Sequence, residues 1–291
     1  MQLLDEDFIR KLDVLSVVSR KVIVGRMKGE KRSKRRGVSS EFAEHRDYSP
    51  GDDTRFIDWN IYGRLNRLFL KLFYEEEDLH VSILVDASES MDYGAHNKFD
   101  YARRLAAALG YIAASGSDRV SISAFSEGVS ETLAPFRGKG QVWRMFDFLE
   151  HLSASGGTSL AAACRNFALQ NRGKGITIIV SDFLDEAGYE EALRFFVARN
   201  QDLFVLHLLS REEISPELTG DLKLLDCETG GETEVSISGA LMKTYKKNVG
   251  TFCRGLKNYC GSRGLGYLFA ATDAPFEQLV LNYLRRIGLV K

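Results

Sequence analysis

The sequence predicts an α/β protein built on a doubly wound, mainly parallel sheet, with an N-terminal α+β extension in front of it. Short apolar runs recur at 81–85, 120–125, 176–180 and 202–209. Between them lie stretches of helical periodicity, the Ala-rich segment 98–115 first among them. Strand and helix signals therefore alternate, and a helix that crosses over between two strands leaves those strands parallel.

Residues 3–19 carry Leu3, Leu4, Phe8, Leu12, Leu15 and Val18 at spacings of three and four, which predicts an amphipathic helix packed on the body of the protein. A basic stretch follows: Arg26, Lys28, Lys31, Arg32, Lys34, Arg35 and Arg36 face only Glu30. With so little apolar content it reads as an exposed loop. Ser49-Pro50-Gly51-Asp52-Asp53 is a dense turn signal, and Phe42, Tyr48, Phe56, Ile57 and Trp59 around it predict a small core. Alternating Leu68, Leu70, Leu72 and Tyr74 predict a strand, and Glu75-Glu76-Glu77-Asp78 ends the extension. The expected division is 1–78 and 79–291.

In the second part, strands at 120–125 and 129–136 joined by Ser126-Glu127-Gly128 predict a hairpin at a sheet edge. Helices are expected at 140–151, 159–170 and 188–200, with strands at 175–181 and 202–209. A hairpin over 222–238, a helix over 240–262, a strand over 267–270 and a closing helix near 276–287 complete the chain.

Composition narrows the function classes. A chain of 291 residues with 44% hydrophobic and 27% charged residues, 4 Pro and a net charge of -1 is that of an ordinary globular protein. No apolar run approaches the roughly 20 residues of a membrane-spanning helix, and the acidic start lacks the basic and apolar regions of a signal peptide. A cytoplasmic location is the expectation. Cys164, Cys227, Cys253 and Cys260 form no CxxC pair, so free thiols are expected in place of a disulfide framework or a zinc site.

Chemistry concentrates at strand ends. Val81-Ser82-Ile83-Leu84-Val85 leads into Asp86-Ala87-Ser88-Glu89-Ser90, and Ile176-Thr177-Ile178-Ile179-Val180-Ser181 leads into Asp182. Ligands of open parallel sheets bind outside the carboxyl ends of strands, where strand order reverses. If these two strands are neighbours, both carboxylates face one crevice. The loop Ser155-Gly156-Gly157-Thr158-Ser159 delivers a third hydroxyl ahead of a helix. Such hard oxygen donors suit Mg²⁺, or Mn²⁺ or Ca²⁺. Taken singly, each element is also an ordinary turn or helix cap.

In order and spacing, Asp86, Ser88, Ser90, Thr158 and Asp182 resemble the metal-ion-dependent adhesion site of von Willebrand factor A domains, a Rossmann-like fold. The resemblance implies that Ser88 and Ser90 bind the metal directly, Thr158 directly or through water, and Asp86 and Asp182 largely through water. The block Ser49-Pro50-Gly51-Asp52-Asp53-Thr54-Arg55-Phe56-Ile57-Asp58-Trp59, with Lys71, Glu75-Glu76-Glu77 and the later Asp226-Cys227-Glu228-Thr229-Gly230, resembles a bacterial family known as domain of unknown function fifty-eight. Its members are commonly encoded beside MoxR-type AAA+ ATPases. They often carry membrane-spanning helices, and none is expected within this sequence. For the 49–59 block itself, Arg–Asp pairing that seats the extension on the sheet domain is the expected role.

Three functions compete. The first is a metal-dependent binding module that captures an acidic side chain of a partner protein, by resemblance a MoxR-type ATPase or its client. The second is a Mg²⁺-dependent hydrolase or phosphoryl-transfer enzyme; it is disfavoured because no His, Lys or Cys is tied by spacing to Asp86, and no GxxxxGK[ST] loop occurs. The third is nucleic-acid binding through the basic loop 26–36, which the near-neutral pI of about 6.6 weakens.

Overall fold

Strand β3 (His80–Asp86) runs through the middle of the main sheet, and the first crossover helix, α3 (Lys98–Ser115), carries the chain away from its tip. The computed structural model describes residues 3–17, 42–73, 79–171, 175–199, 201–228 and 230–291. After α3 come β4 (Arg119–Phe125), β5 (Val129–Arg137), α4 (Val142–His151), α5 (Leu160–Gln170) and β6 (Gly175–Ser181). Then follow α6 (Tyr189–Ala198), β7 (Asp202–Leu209), the hairpin β8 (Gly220–Leu225) and β9 (Glu232–Ile237), α7 (Gly239–Ser262) and β10 (Gly266–Ala271).

The six-stranded sheet has the order β10-β7-β6-β3-β4-β5. All its pairs are parallel except β4 with β5, which form the expected edge hairpin. Strand order runs one way from β3 to β5 and the other way from β6 to β10, so the switch point lies between β3 and β6. This is the doubly wound α/β class that the alternating pattern predicts.

Successive strand residues face opposite sides of a sheet. Val81, Ile83 and Val85 accordingly pack with α3 and α4 in one apolar cluster, and Leu84 packs with α5 and α6 in the other. Both faces are covered, which is why these strands read as continuous apolar runs. Capping fixes the helix starts: the Asn97 side chain accepts from Asp100 N–H at 2.9 Å, and the Ser238 hydroxyl accepts from Leu241 N–H at 3.2 Å. Among the described residues no helix is long and apolar enough to cross a membrane.

The chain divides into two compact units, Met1–Val24 with Leu79–Lys291, and Gly25–Asp78. The expected extension of residues 1–78 is therefore split. Leu3, Leu4, Phe8, Leu12, Leu15 and Val17 are buried in the sheet unit's own core, which draws the N-terminal residues to it. The expected helix over 3–19 is also shorter. Helix α1 spans Glu6–Leu12, capped by Asp5, and Val17 then forms an antiparallel bridge with Val290. Extended pairing replaces the final helical turns.

In the smaller unit β1 (Phe42–Asp47) pairs antiparallel with β2 (Phe69–Phe73), and α2 (Trp59–Leu65) lies between them in sequence. Of the residues expected in a core here, Ile57 is buried beside Leu70 and Tyr48 is half-buried, but Trp59 is 62% and Phe56 38% exposed. The Arg–Asp pairs here are internal, Arg46 with Asp52 at 2.7 Å and Arg55 with Asp53 at 2.8 Å. Asp58 caps α2 through Asn60 and Ile61 N–H and also meets His45 at 3.0 Å and Lys71 at 3.4 Å. The basic stretch 26–36 lies outside the described residues.

The closing segment is helical from Phe276 to Arg286 but contains a π-turn at Leu279–Tyr283. All four cysteines are free thiols, and Cys227 is the exposed one.

Candidate functional site

Asp86 ends β3 with its side chain fully buried. A carboxylate in such a place needs donors, and the chain supplies them locally. Oδ1 accepts from the Ser88 N–H at 3.1 Å and the Ser88 hydroxyl at 2.7 Å; Oδ2 accepts from the Ser181 hydroxyl at 2.5 Å. Ser181 is the last residue of β6, the strand beside β3. Ser88 Oγ stands 3.1 Å from Ser90 Oγ. Asp86, Ser88 and Ser90 thus form one hydrogen-bonded chain.

Among the described residues no cationic side chain pairs with Asp86. Burial, and after it the charge of Asp182, push the Asp86 carboxyl up to about 7, against the pull of the Ser181 and Ser88 hydrogen bonds. The two aspartates therefore feel each other across the switch point.

Asp182 follows directly on β6. Its Oδ2 accepts from the Lys98 ammonium at 2.6 Å, and its Oδ1 from the Leu184 N–H at 3.1 Å. Lys98 is 1% exposed and donates also to Glu213 Oε1 at 2.6 Å. Glu213 sits on the helical turn Arg211–Ile214 after β7 and closes a capping box with Ser210. Burial pulls the Lys98 pKa down, but the Asp182 and Glu213 carboxylates outweigh it and hold it above the ordinary value. Lys98 is an ammonium in the core.

The residue after Asp182, Phe183, has φ 58 and is buried; its N–H donates to Ser181 Oγ at 2.9 Å. A bulky side chain in left-handed backbone costs roughly 1–2 kcal/mol, so the turn that places Asp182 carries strain. Behind it lies His207, buried and ringed by Phe183, Phe252 and Phe269, with Nδ1 3.0 Å from the Tyr267 hydroxyl. Burial pushes its pKa down to about 4, more than the Asp182 charge raises it.

The Gly-Gly-Thr loop is stitched to the Asp86 turn by two backbone bonds, Ser155 N–H to Ala87 O at 2.8 Å and Glu89 N–H to Gly156 O at 2.9 Å. Gly156 has φ +76, where a side chain would be strained. Thr158 does not turn its hydroxyl proton to the aspartates. It donates that proton to Glu228 Oε1 at 2.7 Å, and its N–H to Glu228 Oε2 at 2.9 Å.

The expected site residues thus fall into linked groups: Asp86 with Ser88 and Ser90, Asp182 on the neighbouring strand end, and Thr158 on a loop bound to the Asp86 turn. Four polar partners escaped the sequence reading: Ser181, Lys98, Glu213 and Glu228. Lys98 had a signal, because it shares the spacing of Ala102, Leu105 and Leu109 on the core face of α3. Glu228 lies in the Asp226–Gly230 segment that carries the family resemblance, though nothing there ties it to Thr158, and Glu213 had no local signal.

The donors fit a small hard cation. They are hydroxyl and carboxylate oxygens, and the buried Asp86 charge has no positive side chain to offset it. Among the described residues no three His, Cys, Asp or Glu side chains gather as a conventional metal cluster, so a cation here would depend on the hydroxyls of Ser88, Ser90 and Thr158.

The fold and these strand tips define a doubly wound α/β domain with a polar cluster at its switch point. The family described as "Protein of unknown function DUF58" matches residues 44–251, and the chain belongs to that family. Uncharacterised proteins of Mycobacterium tuberculosis and Mycobacterium bovis are each 30% identical to it over 217 residues, covering 72% of this chain and 68% of theirs. Among solved structures, BatB from Bacteroides thetaiotaomicron is 15% identical with a TM-score of 0.45, covering 72% of this chain and 98% of that one. The VWA domain of SpRpn10 is 11% identical with a TM-score of 0.40, covering 71% of this chain and 95% of that one.

Proposed function

We propose that this chain is a metal-dependent protein-binding module. Ser88 and Ser90 hold a Mg²⁺-type cation directly, Thr158 completes the hydroxyl set, and Asp86 and Asp182 balance its charge. When bound, the cation supplies an electrophilic position for a carboxylate of another protein. The residues around it do the rest: Ser181 and Ser88 orient Asp86, and Lys98 fixes Asp182. The observation that carries this reading is Asp86, a fully buried carboxylate beside two hydroxyls and without a cationic partner among the described residues.

The partner we propose is a MoxR-type AAA+ ATPase or a protein it remodels, on the strength of family membership. We read the site as one for capture, not turnover. Lys98 is held as an ammonium between Asp182 and Glu213 and is therefore unsuited to act as base or nucleophile.

Retention of the ATPase on immobilised full chain tests the reading. Binding in Mg²⁺ that disappears in EDTA and with Asp86→Ala supports it. Equal retention in EDTA overturns it.

A further inference from the structure

Glu228 reaches the site from an unexpected direction. It lies, half-buried, in the turn between β8 and β9, a hairpin in which Leu222, Val235 and Ile237 are half-buried and the other strand residues exposed. The turn is held by its own bonds, Asp226 N–H to Gly231 O at 2.8 Å, Gly230 N–H to Asp226 O at 2.9 Å and Glu228 N–H to Asp226 Oδ1 at 2.9 Å. From there both oxygens of Glu228 engage one residue, Thr158.

The chemistry of a hydroxyl gives this contact a direction. Thr158 Oγ1 has one proton and two lone pairs. With the proton committed to Glu228 Oε1, the oxygen has only lone pairs to offer elsewhere. A hydroxyl must present lone pairs to bind a cation, and an outer carboxylate that fixes its orientation also makes it a better donor. The second bond, from Thr158 N–H to Glu228 Oε2, prevents the carboxylate from swinging away.

We propose that Glu228 is a positioning residue of the cation site, acting through Thr158, and that the β8–β9 hairpin exists in part to deliver it. This rests on the cation reading above.

The test titrates the full chain with Mn²⁺, reading free Mn²⁺ by its EPR signal, and measures the thermal midpoint in EDTA. Four proteins are compared with wild type: Asp86→Asn, Glu228→Gln, Thr158→Val and the double variant Glu228→Gln/Thr158→Val. Glu228→Gln should weaken Mn²⁺ binding roughly 10–100-fold with little change in the EDTA midpoint. The same substitution should cost almost nothing more once Thr158 is Val, because the effect passes through that hydroxyl. Should Glu228→Gln fail to fold, Glu228→Asp, which keeps the charge but shortens the reach to Thr158, must show the loss.

Unchanged Mn²⁺ affinity in Glu228→Gln, with binding lost in Asp86→Asn, overturns the role of Glu228 and leaves the site standing. Tighter binding in Glu228→Gln also overturns it, since the carboxylate would then be a competitor. An additive loss in the double variant overturns the route through Thr158. Absence of Mn²⁺ binding in wild type removes the cation reading, and this inference with it.

Discussion

The Lys98 ammonium lies 2.6 Å from the Asp182 carboxylate in a region where the lysine side chain is 1% exposed. Because Glu213 stands at the same distance on the other side, one buried cation serves two acids contributed by different strand ends. Removing one partner of a buried pair leaves its counterpart charged and desolvated, at a cost of about 3–5 kcal/mol. Lys98→Met should lower the unfolding free energy by that order in a urea titration. Loss below about 1 kcal/mol would show that the acids find water instead.

Asp86 predicts a stabilisation that appears only when metal is added. Asp86→Asn removes a buried, unpaired charge but turns an NH2 toward the Ser181 or Ser88 donors, so without metal at neutral pH the two effects oppose each other and the variant should stay within roughly 1–3 kcal/mol of wild type. Mg²⁺ should then stabilise wild type alone, by about 2.7 kcal/mol at 100 times its dissociation constant. Thermal melts of both proteins in EDTA and in Mg²⁺ measure this. Equal Mg²⁺ shifts in the two would place the ion elsewhere.

The adjacent glycines of the Thr158 loop should behave differently. Gly156→Ala forces a side chain into φ +76 and should cost roughly 1–2 kcal/mol. At Gly157 an added Cβ would meet Glu228 Oε2 at 3.5 Å, an ordinary contact, so Gly157→Ala should be tolerated. Denaturation midpoints of the two variants, taken side by side, settle the comparison.

His207 gives a pH dependence whose sign follows from its lowered pKa of about 4. Between that value and the ordinary 6.5 the unfolded chain binds a proton that the folded chain refuses, so this residue's stabilisation is full above about 6.5 and is lost as pH falls toward 4. The groups acting on it are Asp182, which raises its pKa, Lys98, which lowers it, and the hydroxyl of Tyr267. Asp86 titrates in the opposite sense over the same window, so a difference measurement is required. Relative to His207→Gln, wild type should lose on the order of 3 kcal/mol between pH 7 and pH 4. A difference that stays constant with pH would mean the imidazole accepts its proton in the fold.

What the sequence makes legible is what local pattern encodes. The apolar runs of β3, β6 and β7 and the Ala-rich α3 carry the doubly wound class, and two aspartates at strand ends point to the switch point provided their strands are neighbours, which the sheet order makes them. The partners of those aspartates are a different matter. Lys98 meets Asp182 across 84 residues and Glu213 across 115, and Glu228 reaches Thr158 across 70. No spacing rule spans such distances. The helix at the N-terminus reads too long for the same reason, since Val17 answers to Val290 and not to its neighbours. Trp59 and Phe56 show the converse, apolar residues that sequence assigns to a core and the fold leaves at the surface.

The Ser181 hydroxyl accepts from the strained Phe183 N–H and donates its own proton to Asp86 Oδ2. The two oxygens of Asp86 are therefore unequal. Oδ2 takes one hydroxyl from the neighbouring strand, whereas Oδ1 takes the amide and the hydroxyl of Ser88 together and is held twice by its own turn. Any incoming species meets a lopsided carboxylate, one oxygen carrying a single donor and the other two.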